Sequence, residues 1–441
     1  MKHLVRTLRR QPRLLGAALA LVLAALGGAY WAHSRAAEHS YKTSDEASSV
    51  YVRFDMEAYD SIQKNYWNTL SDADLSDLFR LSLEKAEGVS SVELSTSTRS
   101  ATAAMLGRAF SQATSTEARR QLALNTLIVA LYNLAPLGRD ALFSSAQTTQ
   151  LRQEVANVNP SNDLYATLGL SKGASIADVG RAARTKEALL EASNSPEAAA
   201  ELKQVAYAAK VLSSADTKAR YDESGIEPTG FGHLIGRTLY FDMSKMSPTT
   251  LQEFALAVDS ASTTPGIDSM IIDLRGNVGG AFDLAPALLG LFLGPNQYAF
   301  DIYAQGKYDV ERTTEPAFGE LERYQDIAIL TDSMTQSTAE VIAAAFKRFR
   351  LAHIVGGATR GWGTVENTYP LATDVGSGET YSLLLVNHLT LDDRNLPIEG
   401  RGVEPDVDIA KAGWQDKLAR VFSSSSLIRA VEGVVPHPPQ H

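Results

Sequence analysis

The feature that most constrains the fold is a short apolar run that leads directly into glycines. The run SMIIDL (residues 269–274) has the pattern of a buried strand, and the next six residues, RGNVGG, include three glycines. From about Gly236 onwards, strand-like and helix-like segments alternate around this run. Such alternation is typical of an α/β domain, in which helices pack against a sheet. The C-terminal half of the chain is therefore predicted to be α/β.

The segments of this half are predicted one by one from their residue patterns. Strands are expected at residues 237–243, 269–274, 327–331, 352–357 and 381–391, and helices at residues 248–261 and 337–349. The region 51–157 is predicted to be helical, because apolar residues such as Phe54, Tyr59 and Ile62 recur three to five positions apart. Within it, the Ser/Thr-rich stretch 90–102 is expected to be a loop or a helix boundary.

The first 37 residues differ from the rest in charge and hydropathy. Six basic residues and no acidic residue precede Glu38, and residues 14–32 are uncharged and mostly apolar. That run is about as long as a helix that crosses a bilayer. The basic residues before it are expected to stay in the cytoplasm, which puts the body of the chain outside the cytoplasmic membrane. The alternative is a cleaved signal peptide, because small residues follow the run.

The body of the chain is acidic and contains no cysteine. The formal net charge is −10, and without the six N-terminal basic residues 35 basic residues face 51 acidic ones, which is −16. So acidic a body is a poor candidate for nucleic-acid binding, which needs basic surface. The lack of cysteine excludes disulfides and thiolate chemistry. No cofactor and no metal ion are predicted, and the Pro/His-rich residues 436–441 are expected to be a loose end.

Four motifs follow one another between residues 271 and 409. They are IIDLRGNVGG (271–280), ILTDSMTQSTAEVIAAAF (329–346), HIVGGATRGWGTVEN (353–367) and IEGRGVEPDVDI (398–409). In this order they resemble the C-terminal processing (tail-specific) serine protease family, whose segments read DLRxNxGG, SASASEI, VVGxxTxGKGxVQ and GxGxxPDxxI. The helical segment 54–79 is similar to the family's N-terminal region. The resemblance implies an α/β core of the ClpP/crotonase-like type and a polypeptide as substrate or ligand.

Ser337 takes the family's nucleophile position when Glu340 is matched to the glutamate of SASASEI. At a helix start, the backbone N–H of Thr338 points out of the helix and can stabilise an oxyanion. Gly279 and Gly280 let a second backbone N–H approach the same point. The other interpretation of Ser337 is a helix cap, since Ser337 and Glu340 have the spacing of a capping box.

A tryptophan stands at the position of the family's catalytic lysine. The flanking glycines of GKG are kept, which matches Trp362 to the lysine and Glu366 to the family's usual glutamine. An indole cannot accept a proton. The resemblance therefore implies that Ser/Lys hydrolysis is impaired or absent.

Three other side chains remain open as the base of an active peptidase: Glu366, His353 and His388. Lys347 is excluded, because it lies about 15 Å along the helix from the serine. Asp273 and Arg275 are expected to hold the glycine loop in place.

The segment 163–225 resembles a J-domain. The matching pieces are DLYATLGLSKGAS (163–175) and YAAKVLSSADTKARYDESG (207–225), and helices are expected from the cap at Ser175 and at residues 195–212 and 215–221. Most relatives carry a PDZ domain at this place. The J-domain's HPD tripeptide is replaced by Glu-Ala-Ser at 191–193, so Hsp70 is not an expected partner, and the segment is interpreted as a packing or regulatory module.

The predicted organisation has five parts. Residues 1–37 are a basic segment with a transmembrane anchor or signal peptide, 38–158 a helical N-terminal domain, 160–226 a degenerate J-like domain, 230–425 the protease-like core and 426–441 a C-terminal tail. Two functions stay open: an exported, membrane-anchored protein that binds extended polypeptides without cutting them, and an exported serine peptidase with a different base.

Overall fold

A computed structural model of the chain describes residues 43–159, 162–193, 195–376 and 378–437. The predicted membrane segment, residues 14–32, lies outside the described residues. Within the four described ranges, no helix is both long enough and apolar enough to cross a membrane.

The N-terminal region is mostly helical, as its apolar spacing predicts. Each helix begins after a Ser or Thr whose side-chain oxygen accepts a backbone N–H of the first turn, which supplies a partner that the helix itself cannot. The predicted Ser/Thr-rich loop ends at one of these caps, Thr98. The helices are α1 (Ser44–Ser48), α2 (Val50–Asn65), α3 (Asp72–Glu87), α4 (Arg99–Gln112), α5 (Thr116–Tyr132) and α6 (Ser145–Val155).

One segment of this region was predicted to be helical and is a strand. Strand β1 (Ala141–Ser144) pairs antiparallel with a strand near the end of the chain, with Ala141 opposite Leu384. Its partner lies far away in sequence, so local residue spacing carries no sign of the pairing. The prediction failed because a tertiary contact decides the conformation here.

The J-like segment forms four helices around a small core of its own. They are α7 (Leu164–Thr167), α8 (Ile176–Glu191), α9 (Pro196–Ser213) and α10 (Ala215–Ser224). Ser175 caps α8 through the N–H of Asp178, as its sequence predicts. Helices α8 and α9 pack on each other, and the core between them includes Tyr165, Val179 and Leu212.

This J-like module is joined to the α/β domain through Glu253. The Glu253 side chain is 5% exposed and forms an ion pair with Arg220 of α10. Its carboxylate also accepts the backbone N–H groups of Thr229 and Gly230, each at 2.9 Å. A buried charge with this many partners holds the module in a fixed place.

The C-terminal half is the predicted α/β domain. A six-stranded sheet has the order β11-β8-β7-β4-β3-β2, and every pair is parallel except β2 with β3. Its strands are β2 (Gly230–Ile235), β3 (Thr238–Met243), β4 (Ser269–Asp273), β7 (Asp326–Thr331), β8 (His353–Gly356) and β11 (Val407–Asp408). Helices α11 (Thr250–Ser262), α12 (Leu284–Leu293) and α13 (Thr338–Arg348) cover one face.

The other face of this sheet is covered by the C-terminal helices α14 (Trp414–Val421) and α15 (Ser425–Val434). Leu427 and Val431 of α15 are fully buried against this sheet. The residues assigned to a separate tail, 426–441, thus include most of a helix that belongs to the core. The pattern of α15 is short and follows serines, and only its burial against the sheet distinguishes it from a tail.

A second, antiparallel sheet lies between the helical region and the α/β domain. It consists of β1, β5 (Tyr298–Ala304), β6 (Lys307–Arg312), β9 (Thr364–Pro370) and β10 (Tyr381–Thr390). The sequence predicted only β10 of these strands. Leu383 and Leu385 of β10 pack among the side chains of α2 to α5, which ties the helical region to the second sheet.

Candidate functional site

Three loops meet where three neighbouring parallel strands end. The glycine loop follows β4, Ser337 follows β7 and Trp362 follows β8. Because parallel strands end at the same edge of a sheet, these loops are brought together there, where α/β folds place their ligand sites. Backbone hydrogen bonds join the loops: the N–H of Gln336 donates to the carbonyl of Asn277, and the N–H of Arg360 to that of Thr335, both at 2.9 Å.

Ser337 has an unusual backbone conformation. Its φ is 57° and its ψ is −128°, a region that residues with a Cβ rarely occupy and that costs on the order of 1–3 kcal/mol. The helix start retains part of the predicted capping box, because the Glu340 side chain accepts the N–H of Ser337. The N–H of Glu340 is bonded at 2.8 Å to the carbonyl oxygen of Ser337.

The glycine loop approaches Ser337 closely. A Cβ on Gly279 would lie 2.7 Å from the Cβ of Ser337, so only glycine fits. The N–H of Gly279 itself is used, donating to the Asn277 side chain at 2.8 Å. The N–H groups of Gly280 and Thr338 donate no hydrogen bond to any described residue. Of the predicted oxyanion donors, these two are the ones left for a ligand.

Glu340 links Ser337 to Trp362. One of its carboxylate oxygens accepts the backbone N–H of Ser337 at 2.9 Å and that of Trp362 at 2.8 Å. The other accepts the N–H of Gly361 and the hydroxyl of Thr359. The side chain is fully buried, and this burial raises the pKa of the Glu340 carboxyl. The two loops therefore share a single anchoring group.

The Trp362 side chain is enclosed by charged groups. Its indole N–H donates to Glu366 at 3.0 Å, and the same Glu366 oxygen accepts the hydroxyl of Thr364. The guanidinium of Arg139 lies over the ring, with its carbon 3.4 Å from the ring centroid. Arg139 in turn forms an ion pair with Glu399 at 2.8 Å.

The proposed alternative bases are not placed at Ser337. His353 begins β8 and so lies at the edge of the sheet opposite Ser337, where its Nδ1 is 3.7 Å from Asp406. His388 belongs to the second sheet, and its Nε2 is 3.4 Å from Asp309. Glu366 is near the site but is bonded to the indole of Trp362.

No side chain described in the structure therefore supplies Ser337 with a hydrogen-bonded base. Lys347, which its position on the helix excluded, donates to the carbonyl of Glu404 at the far end of α13.

Asp273 and Arg275 support the glycine loop. Both oxygens of the fully buried Asp273 accept hydrogen bonds from the Arg275 side chain, at 2.6–3.1 Å. The third guanidinium nitrogen, Nη1, donates to the carbonyls of Val435 and His437. This charge pair thus fastens the start of the loop to the C-terminal end of the described chain.

Two site residues were missed from the sequence, Arg139 and its neighbour Asp140. One oxygen of Asp140 accepts the N–H of Val386 at 2.7 Å, and Val386 lies opposite Glu366 in the sheet. The other oxygen is buried without a partner, and burial raises the pKa of Asp140 to about 7. Both residues come from the helical region, outside all four motifs, so no sequence signal marks them.

The fold and the site together define a serine-peptidase-type α/β domain, with a serine at a helix start facing a glycine loop. Residues 237–409 match Peptidase family S41. This match over the α/β domain confirms the resemblance to the C-terminal processing proteases seen in the motifs.

Individual relatives are distant and longer. A probable CtpA-like serine protease of Staphylococcus haemolyticus is 27% identical over 199 residues, which are 44% of this chain and 38% of that protein. The carboxy-terminal processing protease CtpA of Bacillus subtilis is 29% identical over 180 residues, 40% of this chain and 36% of the relative. The chain therefore spans well under half the length of these relatives.

Among solved structures, the photosystem II D1 C-terminal processing protease aligns with a TM-score of 0.46 and 12% identity, over 82% of this chain and 93% of that one.

Proposed function

We propose that this chain binds extended polypeptides at the Ser337 site and does not hydrolyse them by Ser/Lys chemistry. The observation that carries the proposal is the environment of Trp362, which stands at the family's lysine position with its indole N–H on Glu366. A serine hydroxyl is a weak nucleophile without a base. Ser337 has no hydrogen-bonded base among the described residues, so its attack on a peptide bond is not assisted.

Several features of the site support binding. Ser337 has a strained backbone and Gly279 approaches it closely, although a simple helix cap needs neither feature. The N–H groups of Gly280 and Thr338 are left for a carbonyl oxygen. Val278 and Met334, on the two loops that form this site, are 44% and 50% exposed. Exposed apolar side chains beside polar donors suit a polypeptide ligand.

The test is to incubate the purified chain with a fluorescent unstructured polypeptide and, separately, with a serine-reactive fluorophosphonate probe. Saturable binding without cleavage is expected, with probe labelling no higher than in Ser337→Ala. Cleavage, or labelling that disappears in Ser337→Ala, would show an active peptidase with another base. Absence of any binding would sink the ligand part of the proposal.

We also propose that residues 14–32 anchor the chain in the cytoplasmic membrane with its body outside. The uncharged run and the preceding basic residues support this. Deleting residues 1–37 is expected to move the protein from the membrane fraction to the soluble fraction. A full-length chain that fractionates as soluble and resists protease added outside the cell would contradict the anchor.

We propose further that the J-like module packs and does not act as a co-chaperone. The HPD slot holds Glu-Ala-Ser, and Arg220 of the module forms an ion pair with the buried Glu253. No stimulation of an Hsp70 ATPase is expected from the purified chain, and a clear stimulation would contradict this assignment.

A further inference from the structure

We propose that Arg139, contributed by the helical region, is a positioning residue of the Ser337 site that holds the Trp362 ring in place. The inference rests on the proposed function insofar as it concerns polypeptide binding. It adds a residue that lies outside the α/β domain and its motifs. The N-terminal helical region therefore contributes a side chain to the site.

The first step of the argument is the contact itself. The guanidinium carbon of Arg139 lies 3.4 Å from the Trp362 ring centroid, the distance of direct stacking. The side chain of Arg139 is 17% exposed and that of its partner Glu399 is 16% exposed. A mostly buried guanidinium on an indole face is held there more firmly than a surface arginine would be.

The second step is that Arg139 cannot easily leave. Its terminal nitrogen is 2.8 Å from one oxygen of Glu399, and the other oxygen of Glu399 accepts the N–H of Gly363, which directly follows Trp362. On the other side, Asp140 is fastened to Val386, and the next residue, Ala141, opens strand β1. The backbone that carries Arg139 is therefore anchored to the second sheet.

The third step is that Trp362 and Ser337 are linked by hydrogen bonds to a shared acceptor. The backbone N–H groups of Trp362 and Ser337 bind the same oxygen of Glu340. A displacement of the Trp362 loop therefore changes the hydrogen bonding of Ser337. Arg139 acts on the site through Trp362 and contacts none of the proposed ligand donors itself.

The consequence concerns ligand selection. A lysine side chain is slender and mobile, whereas a stacked indole is a rigid wall. Such a wall favours polypeptide segments that fit its shape, because less conformational freedom is lost on binding. Loss of the Arg139 contact would let the Trp362 indole move. This is expected to weaken polypeptide affinity about five- to tenfold, the range of a lost cation–π contact.

The experiment compares Arg139→Ala, Arg139→Lys and Glu399→Gln in the full chain. The near-ultraviolet circular dichroism of Trp362 is obtained by subtracting the spectrum of Trp362→Phe, and affinity is measured for a fluorescent unstructured polypeptide. Arg139→Ala should abolish the Trp362 signal and weaken binding. Arg139→Lys keeps a cation for Glu399 but loses planar stacking, so it should also lose most of the signal. Glu399→Gln keeps the stacking and should retain more of both.

The inference would be overturned if folded Arg139→Ala kept both the circular dichroism signal of Trp362 and the polypeptide affinity of the wild type. If Arg139→Ala does not fold, Arg139→Lys decides the question with the same readouts. A wild-type chain that binds no polypeptide would refute the proposed function alone, because the Trp362 signal still tests the positioning role without ligand.

Discussion

The guanidinium of Arg139 stacks on the ring of Trp362, with 3.4 Å between the guanidinium carbon and the ring centroid. The arginine precedes the first strand of the second sheet, and the tryptophan follows a strand of the six-stranded sheet. The contact therefore joins the two regions at Trp362, which the motifs predict to stand at the position of the family's catalytic lysine. It explains how a large aromatic side chain is accommodated there: one face is covered by a cation, and the indole N–H is taken by Glu366.

Restoring the lysine alone is expected to fail. In Trp362→Lys the new amine would lie beside Glu366, and a neighbouring carboxylate favours the charged ammonium, which cannot act as a base. Trp362→Lys combined with Glu366→Gln removes this carboxylate and reproduces the family's glutamine. Fluorophosphonate labelling of the double variant should be at least about a hundredfold faster than that of Trp362→Lys, the effect of one working general base.

The matched control for this rescue is the same pair of changes in a Ser337→Ala background, which should not be labelled. Equal labelling of the single and double variants would show that Glu366 does not control the charge of the amine.

Asp140 should make the chain less stable as pH rises. Its pKa is raised from an ordinary value of 3.8 to about 7 in the folded chain, so between these values the folded state holds a proton that the unfolded state has lost. Stability therefore falls as pH rises from about 4 to about 7 and changes no further above that, by up to about 4 kcal/mol. Asp140→Asn keeps an oxygen for the N–H of Val386 and cannot ionise.

The measurement is the free energy of unfolding by urea for the wild type and Asp140→Asn at several pH values. Relative to the wild type, the free energy of unfolding of Asp140→Asn should rise by a few kcal/mol between about pH 4 and about pH 8. The raised pKa of the buried Asp55 gives the same slope in both proteins and cancels in this comparison. A difference that does not change with pH would contradict the raised pKa.

Arg220→Ala should loosen the J-like module. Glu253 would stay buried with its backbone donors but without its cation, and removal of one partner of a buried ion pair costs about 3–5 kcal/mol of stability. Faster hydrogen–deuterium exchange is expected in α8, α9 and α10. Arg181→Ala is the control, because its ion pair with Asp178 lies in the same module with side chains 66% and 42% exposed. Unchanged exchange in Arg220→Ala would show that this pair does not dock the module.

Arg275→Ala should destabilise the α/β domain by about 3–5 kcal/mol, because it leaves the fully buried Asp273 without its cation. Urea unfolding measures the loss. Arg237→Ala serves as the comparison, since its partner Asp268 and Arg237 itself are 35% and 62% exposed, and little change is expected there. Similar losses in the two variants would mean that burial does not set the strength of the Arg275 pair.

Sequence patterns predicted much of the framework. The alternation after Gly236 indicated the α/β domain, and the cap at Ser175 marked the start of α8. Such features depend on residues that are close together in the chain. The motifs also picked out Ser337, the two glycines and Trp362, which the structure brings to one edge of the sheet. Strand β1 was missed because its pairing with β10 joins segments far apart in sequence. The β5–β6 hairpin was missed although its strands are only two residues apart.

The sequence by itself predicted Ser337, the glycine loop and Trp362 as one site, with Trp362 at the position of the family's lysine, since such predictions depend on residue identity and spacing. Only the tertiary structure decided what surrounds that tryptophan. His353 was a candidate base until its place at the start of a parallel strand put it at the opposite edge of the sheet from Ser337. Arg139 had no motif to mark it, because stacking and ion pairing depend on distances in space that residue order does not encode.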